Sequence, residues 1–171
     1  MRCLVIDDNA EARFLSERIL RRNGYRAVCV SGGTAALKAA TEERFDVALV
    51  DLGMPDMSGT DTIRELRKLD GRIRILVVSG FGDRSHILAA IEAGADGYLL
   101  KDELGDQLGR ALQEVFAGNS PLSPRVGSVL VKAVAAAAQQ RIKTGPLQIK
   151  VGRAVDPAAR PPADTSKDPR S

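Results

Sequence analysis

Five polar residues directly follow apolar runs that have the composition of buried strands. Asp7 and Asp8 follow CLVI, Asp51 follows VALV, Ser79 follows ILVV, and Lys101 follows GYLL. A carboxylate can act as a nucleophile or bind a hard cation, whereas a hydroxyl group and an ammonium group can hold the oxygens of an anion. These residue types would suit the transfer of a phosphoryl group, provided that the fold brings them together.

Strand-like apolar runs alternate with helix-like segments over residues 1–117. The strand predictions cover 3–7, 27–30, 47–51, 73–78 and 97–100, and the helix predictions cover 11–22, 34–43, 59–69, 83–93 and 104–117. Continuous apolar runs suit strands buried on both faces, and repeated β-α units imply parallel neighbours joined by crossover helices. We therefore predict an α/β domain with a doubly wound, five-stranded parallel sheet and helices on both faces.

The carboxyl ends of parallel strands lie at one edge of a sheet, which is where open α/β sheets bind their ligands. Asp7, Asp8 and Asp51 would therefore lie close together, and their mutual repulsion would raise the pKa of at least one of them unless a cation is present. Mg²⁺ suits such a site because it takes carboxylates together with waters and a phosphate oxygen. The sequence predicts a magnesium site at this edge.

The stretches IDDN, VDLGMPDMSG, VVSG and GADGYLLKD follow one another at the ends of predicted strands within residues 1–117. Each stretch alone has little specificity, but together they resemble the receiver domain of two-component response regulators. The resemblance implies the flavodoxin-like strand order 2-1-3-4-5. It also implies a cytoplasmic signalling protein that accepts a phosphoryl group from a sensor histidine kinase and catalyses only its own phosphorylation and dephosphorylation.

The resemblance also assigns roles to individual residues. Asp51 would be the phosphoacceptor; Asp7, Asp8, Asp51 and the carbonyl oxygen of Gly53 would hold Mg²⁺; Ser79 and Lys101 would receive the phosphoryl group. Ser79 and the aromatic residue Tyr98 would form the switch: the hydroxyl group moves towards the phosphoryl group and the ring turns inward. This movement would rebuild the face formed by the fourth helix, the fifth strand and the fifth helix.

Each of these residues also has a simpler explanation. Asp7 and Asp8 could cap a helix, Ser79 could belong to a turn, Lys101 could be a solvated charge, and Tyr98 could be half-buried packing. The Gly-rich stretch SGGTAALKAA resembles a phosphate loop but lacks its Lys-Ser/Thr ending, so we expect a helix capped by Thr34. For the lone histidine, His86, we expect a surface position.

Two residues near the expected site depart from the family pattern. Gly53 stands where the family often has Asn, and Phe81 lies two residues beyond Ser79. Both would flank the acyl phosphate and affect how fast water reaches it. The stretches GADGYLLKD and AGNSPLSP are most similar to receivers of the helix-turn-helix (NarL/FixJ-type) regulators.

The chain divides into a receiver domain at 1–117, a linker helix at 118–140 and a basic, Pro-rich tail at 141–171 that we expect to be disordered. Within the linker, Ser123 and Pro124 form a good helix entry. The net charge of +3 comes from the tail, which has seven Lys or Arg and three Asp. No apolar run approaches the roughly 18 residues of a membrane span, so no membrane contact is expected. Cys3 and Cys29 lie in apolar segments, where buried free thiols are expected.

Two functions remain open at this point. In the first, the protein is a phosphorylation-gated interaction module that forms a homodimer or captures a partner on its switch face. In the second, it is a helix-turn-helix transcription regulator whose DNA-binding domain is truncated or supplied by a partner. The tail lacks an amphipathic segment long enough for a recognition helix, so DNA binding by this chain alone is not expected.

Overall fold

The computed structural model describes residues 1–105 and 107–144 and contains a five-stranded parallel sheet in the order β2-β1-β3-β4-β5. The strands are β1 (Arg2–Ile6), β2 (Arg26–Val30), β3 (Val47–Val50), β4 (Arg74–Ser79) and β5 (Gly97–Leu100). The helices are α1 (Ala10–Arg22), α2 (Gly33–Glu42), α3 (Gly59–Leu69), α4 (Arg84–Ala93), α5 (Gln107–Phe116) and α6 (Pro124–Thr144), with a short 3₁₀ helix at Lys101–Glu103. The predicted fold and strand order are confirmed.

Helices cover both faces of the sheet, as the continuous apolar strands predicted. Alternate residues of β1 supply the two cores: Leu4 packs towards α2, α3 and α4, whereas Cys3 packs towards α1 and α5. Both residues are fully buried. The sheet is therefore the rigid centre of the domain, and the loops at its carboxyl edge start from fixed positions.

Strand register sets the level of the loops that follow the strands. Ile6 at the end of β1 pairs with Val50 at the end of β3, and the backbone N–H of Asp51 donates to the carbonyl of Ile6 at 2.9 Å. On the other side of β3, Ser79 pairs with Leu100, so Lys101 follows one residue beyond the level of Ser79. The predicted site residues thus leave the sheet side by side.

The start of α2 differs from the prediction that Thr34 caps it. The helix begins at Gly33, and the carboxylate of Asp56, from the loop before α3, accepts hydrogen bonds from the N–H groups of Gly33 (3.3 Å) and Thr34 (3.0 Å). A side chain at Gly32 or Gly33 would collide with Asp56 or Thr62. The Gly-rich stretch therefore lets α2 approach another loop, and its N-terminus already has an anionic partner.

The two cysteines are in different environments. Cys3 on β1 is buried, and burial raises the pKa of its thiol. Cys29 is exposed, so the prediction that it is buried was wrong. It lies on the edge strand β2, which has a neighbouring strand on one side only. An apolar segment at a sheet edge still leaves some of its side chains open to solvent.

Helix α6 lies in the predicted linker region 118–140 and begins at Pro124, the helix entry predicted from Ser123 and Pro124. Gly118 ends α5 at a φ of +87°, and the following residues pair with β5 before α6 begins at Pro124. The N–H of Tyr98 donates to the carbonyl of Pro121 at 2.9 Å, and the N–H of Ser123 donates to the carbonyl of Tyr98 at 3.0 Å. Backbone pairing of this short segment with β5 therefore holds the start of α6 against the sheet.

Helix α6 continues to Thr144, four residues past the predicted end of the linker helix at residue 140. Gln, Arg and Lys are good helix formers, and Arg141 and Lys143 lie favourably in the last turn. The remaining predictions for the tail concern residues 145–171, which lie outside the described residues. Among the described helices, none combines the length and apolar character that a bilayer-spanning helix needs.

Gly59 brings the first turn of α3 against the end of β3, and its replacement tests this contact. A Cβ atom at Gly59 would meet the carbonyl oxygen of Asp51 and would lie 2.6 Å from the Cα of Leu52. Because backbone must move to admit a methyl group, we expect Gly59→Ala to lower the free energy of unfolding by about 1–3 kcal/mol in urea titrations. Gly71→Ala is the control, since no atom lies within 4 Å of the added Cβ. Equal unfolding midpoints for the two variants would contradict this packing.

Candidate functional site

Three carboxylates meet at the carboxyl edge of the sheet. Ligand oxygens of Asp7, Asp8 and Asp51 all lie within 4.8 Å of one another. Asp7 and Asp51 are each only 6% exposed, whereas Asp8 is exposed. The cap of α1 is Asn9, whose side chain accepts from the N–H groups of Glu11 and Ala12, so the alternative in which the two aspartates cap this helix is wrong.

Lys101 supplies the positive charge inside this cluster. Its Nζ lies 2.7 Å from Oδ2 of Asp7 and 3.4 Å from Oδ1 of Asp51. Burial of the ammonium group opposes its charged form, but the hydrogen bond to Asp7 and the charges of Asp51 and Asp7 outweigh it and raise the pKa of Lys101. Lys101 is therefore a firmly charged partner of the carboxylates rather than a solvated surface residue.

The surroundings of Asp51 disfavour its charged form. Burial raises its pKa, Lys101 opposes this shift, and the nearby charge of Asp7 adds to it, so that the pKa of Asp51 is raised overall. One ammonium group shared between two buried carboxylates does not offset their charge. The donor set therefore fits a hard divalent cation, which prefers carboxylate oxygens.

Ser79 and Tyr98 lie next to the cluster and share a neighbour. Ser79 is fully buried and its Oγ accepts from the N–H of Phe81 at 3.3 Å. Tyr98 is also fully buried, and its hydroxyl donates to the carbonyl of Phe81 at 2.6 Å. Burial raises the pKa of Tyr98 to about 12. Its ring points inward, so the alternative of half-buried packing is wrong.

Gly53 is exposed beside the carboxylate of Asp51. A Cβ atom at Gly53 would lie 3.7 Å from Oδ2 of Asp51 and 3.1 Å from Cε2 of Phe81. The two residues that depart from the family pattern therefore meet each other at the side of Asp51. The contact joins two loops that are 28 residues apart, so local sequence patterns gave no signal for it.

Two supporting residues were missed in the sequence. Nη1 of Arg13 donates to the carbonyl oxygens of Asp7 (2.8 Å) and Asp8 (3.0 Å), and the N–H of Asn9 donates to Oδ1 of Asp7 at 2.9 Å. These bonds fix the loop that carries two of the three carboxylates. The Asn9 cap follows a known helix-start pattern and could have been recognised from the sequence. Arg13 could not, because it binds backbone carbonyl groups whose positions no sequence pattern indicates.

Comparison with protein families identifies residues 3–113 as a response regulator receiver domain. The chain belongs to this family. Receiver domains are not classical enzymes; they interact with histidine kinases and can dimerise. The recognition of the family from sequence is confirmed, and membership is consistent with phosphoryl acceptance in phosphorelay signalling.

The transcriptional regulatory protein PrrA of Mycobacterium tuberculosis is 32% identical over 150 residues, which cover 88% of this chain and 59% of PrrA. A LuxR-family two-component response regulator from Aurantimonas sp. SI85-9A1 is 29% identical, with a TM-score of 0.73, and the match covers 78% of this chain and 97% of that structure. The response regulator TrrA from Thermotoga maritima, in complex with Mg²⁺-BeF, is 28% identical with a TM-score of 0.60. This match covers 66% of this chain and 96% of the TrrA structure. This receiver chain thus spans about three-fifths of the length of PrrA.

The raised pKa of Asp51 predicts the pH dependence of stability. A carboxyl whose pKa rises on folding contributes stability at low pH, and that contribution is lost as pH rises above the unfolded value of 3.8. Without divalent cations, Asp51→Asn should therefore increase the free energy of unfolding at neutral pH by about 1 kcal/mol. The gain should shrink as the pH is lowered towards that value, in urea titrations followed by circular dichroism.

Asp61→Asn is the matched control for this prediction. Asp61 is exposed in the first turn of α3 and binds Arg64 at 2.8 Å, so its loss should leave stability unchanged or slightly reduced at neutral pH. A loss of stability in Asp51→Asn at neutral pH would show that Lys101 compensates the buried charge in full.

Proposed function

We propose that this protein is a response regulator whose Asp51 accepts a phosphoryl group from a sensor histidine kinase in the cytoplasm. The observation that carries the proposal is the cluster of Asp7, Asp8 and Asp51 around the ammonium group of Lys101, at the carboxyl edge of a receiver fold. The chain then catalyses only its own phosphorylation and dephosphorylation.

Asp51 has the surroundings of a carboxylate nucleophile. One of its oxygens forms a bond to the phosphorus while the donor's bond to phosphorus breaks, giving an acyl phosphate. Lys101 lies within 3.4 Å of Asp51 and can turn from Asp7 to a phosphoryl oxygen. The hydroxyl of Ser79, buried beside the pocket, can then donate a hydrogen bond to the same group.

The donor set at this site fits Mg²⁺. Asp7, Asp8, Asp51 and the carbonyl of Gly53 would hold the ion, whose charge, when bound, would balance the carboxylates and the phosphoryl oxygens. Asp8 is the exposed member of the cluster, which suits a ligand facing a solvated ion. The raised pKa of Asp51 supports the need for such a cation.

Phosphoryl uptake from acetyl phosphate tests the role of Asp51. In the presence of Mg²⁺ at neutral pH, we expect the intact mass of the wild type to rise by one phosphoryl group. The mass of Asp51→Asn should stay unchanged, because the side-chain amide of Asn is not a nucleophile. A chelator should abolish uptake by the wild type. Asp61→Asn, altered on the surface of α3, should be phosphorylated normally. A mass gain in Asp51→Asn would refute the assignment.

The proposed output passes through Tyr98 to α6. Both the N–H and the carbonyl of Tyr98 form hydrogen bonds with the segment that precedes α6. Helix α6 itself packs on α4 and β5. Val126 of α6 is fully buried, and Arg125 binds Asp102 at 2.6 Å. A change at the switch therefore reaches α6 through direct contacts, and α6 covers part of the face that the family resemblance predicts to be rebuilt.

A homodimer is the simplest output of this kind, and solution mass tests it. We expect light scattering to give a monomer with Mg²⁺ alone and a dimer after beryllofluoride is added to the wild type, because occupation of Asp51 rebuilds the switch face. Asp51→Asn should remain a monomer under both conditions. A wild type that binds beryllofluoride without a change of mass would exclude the homodimer and favour a different protein partner.

A second function, as a transcription regulator, is favoured by the relatives. PrrA is named a transcriptional regulatory protein, and the Aurantimonas structure is a LuxR-family regulator. The DNA-binding domain would be truncated or supplied by a partner. Specific operator binding by this chain alone would favour this function, whereas binding that vanishes between about 50 and 200 mM salt reflects phosphate contacts only.

A further inference from the structure

The ring of Phe81 and the carboxylate of Asp51 both lie next to Gly53. Gly53 has no side chain there, and a Cβ atom at this position would lie 3.1 Å from Cε2 of Phe81 and 3.7 Å from Oδ2 of Asp51. Phe81 is 40% exposed although its side chain is large and apolar. The position of its ring decides how open the Gly53 side of Asp51 is to water.

The backbone of Phe81 is tied to both proposed switch residues. Its N–H donates to Oγ of Ser79 at 3.3 Å, and its carbonyl accepts from the hydroxyl of Tyr98 at 2.6 Å. These bonds fix the Cα of Phe81 but leave its ring free to rotate about the side-chain bonds. Another contact must hold the ring beside Gly53.

That contact is His86. The rings of Phe81 and His86 are stacked, with centroids 4.2 Å apart and planes 6° from parallel. Nδ1 of His86 lies 2.6 Å from Oδ1 of Asp83, which also caps α4 by accepting from the N–H of His86 at 3.3 Å.

The Asp83 carboxylate orients the imidazole of His86. Hydrogen bonds, first from Ser85 and then from His86, lower the pKa of Asp83 to about 2, so Asp83 is a pure acceptor and the hydrogen lies on Nδ1 of His86. The imidazole plane is thereby fixed from the first turn of α4, and Phe81 stacks on a rigid partner.

We propose that His86 is a positioning residue that holds the Phe81 ring as a cover over the acyl phosphate of Asp51 and so slows its hydrolysis. The inference rests on the proposed phosphorylation of Asp51. It assigns His86 and Asp83 a part in setting the lifetime of the signal, although neither residue contacts the reacting atoms.

The reaction that the cover slows is simple hydrolysis. The oxygen of a water molecule forms a bond to phosphorus, the bond between phosphorus and the Asp51 oxygen breaks, and its electron pair returns to the carboxylate. The water gives up one proton to solvent, and inorganic phosphate leaves. An apolar ring over the open side reduces the approach of water, since it offers neither a donor nor an acceptor.

The half-life of the phosphorylated protein tests the proposal. Wild type and variants are loaded with acetyl phosphate and Mg²⁺, freed of donor on a desalting column, and followed by intact mass as the phosphoryl group is lost. Because an aromatic stack of this kind holds the ring with a two- to tenfold preference, His86→Ala should shorten the half-life by roughly that factor. His86→Phe, which keeps a flat stacking partner, should restore the wild-type half-life.

Two further variants separate positioning from general damage to α4. Ser85→Ala removes a hydrogen bond to the same Asp83 but leaves the stack in place, so its half-life should equal that of the wild type. The acyl phosphate of Phe81→Ala should hydrolyse at least as fast as that of His86→Ala. Adding His86→Ala to Phe81→Ala should have no further effect on the half-life, because the ring is already absent.

The outcomes distinguish this inference from the proposed function. If the wild type loads and Asp51→Asn does not, but His86→Ala keeps the wild-type half-life, the cover is refuted and phosphorylation of Asp51 stands. A short half-life in His86→Phe as well would also overturn the stacking role. If the wild type takes up no phosphoryl group, both proposals fail.

Discussion

Two nearly buried carboxylates that share a single ammonium group are the interaction on which the site depends. Asp7 and Asp51 are held at one level by the register of β1 and β3, and Lys101 lies between them at the end of β5. This arrangement is costly by itself, because burial and like charge both disfavour the ionised form of Asp51. A cation and an anionic phosphoryl group together would balance these charges, which supports the proposal that the site binds both.

The rest of the domain keeps these charges from moving apart. The N–H of Asp51 is bonded to β1, the glycine at 59 lets α3 pack against the end of β3, and Arg13 binds the carbonyls of the loop that carries Asp7 and Asp8. Rigid supports of this kind mean that repulsion is not relieved by relaxation of the loops. The proposed cation and phosphoryl group would therefore meet carboxylates that are already in place.

Sequence predicted the fold and the polar residues of the site because both follow local rules. Apolar runs mark strands, and the residue after each run must lie at the carboxyl edge of the sheet. The positions of Asp51, Ser79 and Lys101 at this edge could therefore be predicted from the sequence alone. What could not be predicted depends on contacts between distant segments. Asp56 caps a helix from another loop, Cys29 is exposed because its strand lies at the edge, and Phe81 stacks on His86 beside a glycine from a different loop. No hydrophobic periodicity in the sequence indicates these contacts between distant segments.

The pairing of residues 121–123 with β5 has a consequence for solubility. Without this segment β5 would be an edge strand, with unpaired N–H and C=O groups open to the strand of another molecule. The bonds between Tyr98 and both Pro121 and Ser123 cover part of that edge, and the Ser123 hydroxyl accepts from the N–H of Leu100. Any signalling movement that carries α6 far from the domain would uncover these groups. If the proposed switch moves α6, a small displacement would keep this edge covered, whereas full release would expose it to pairing with another molecule.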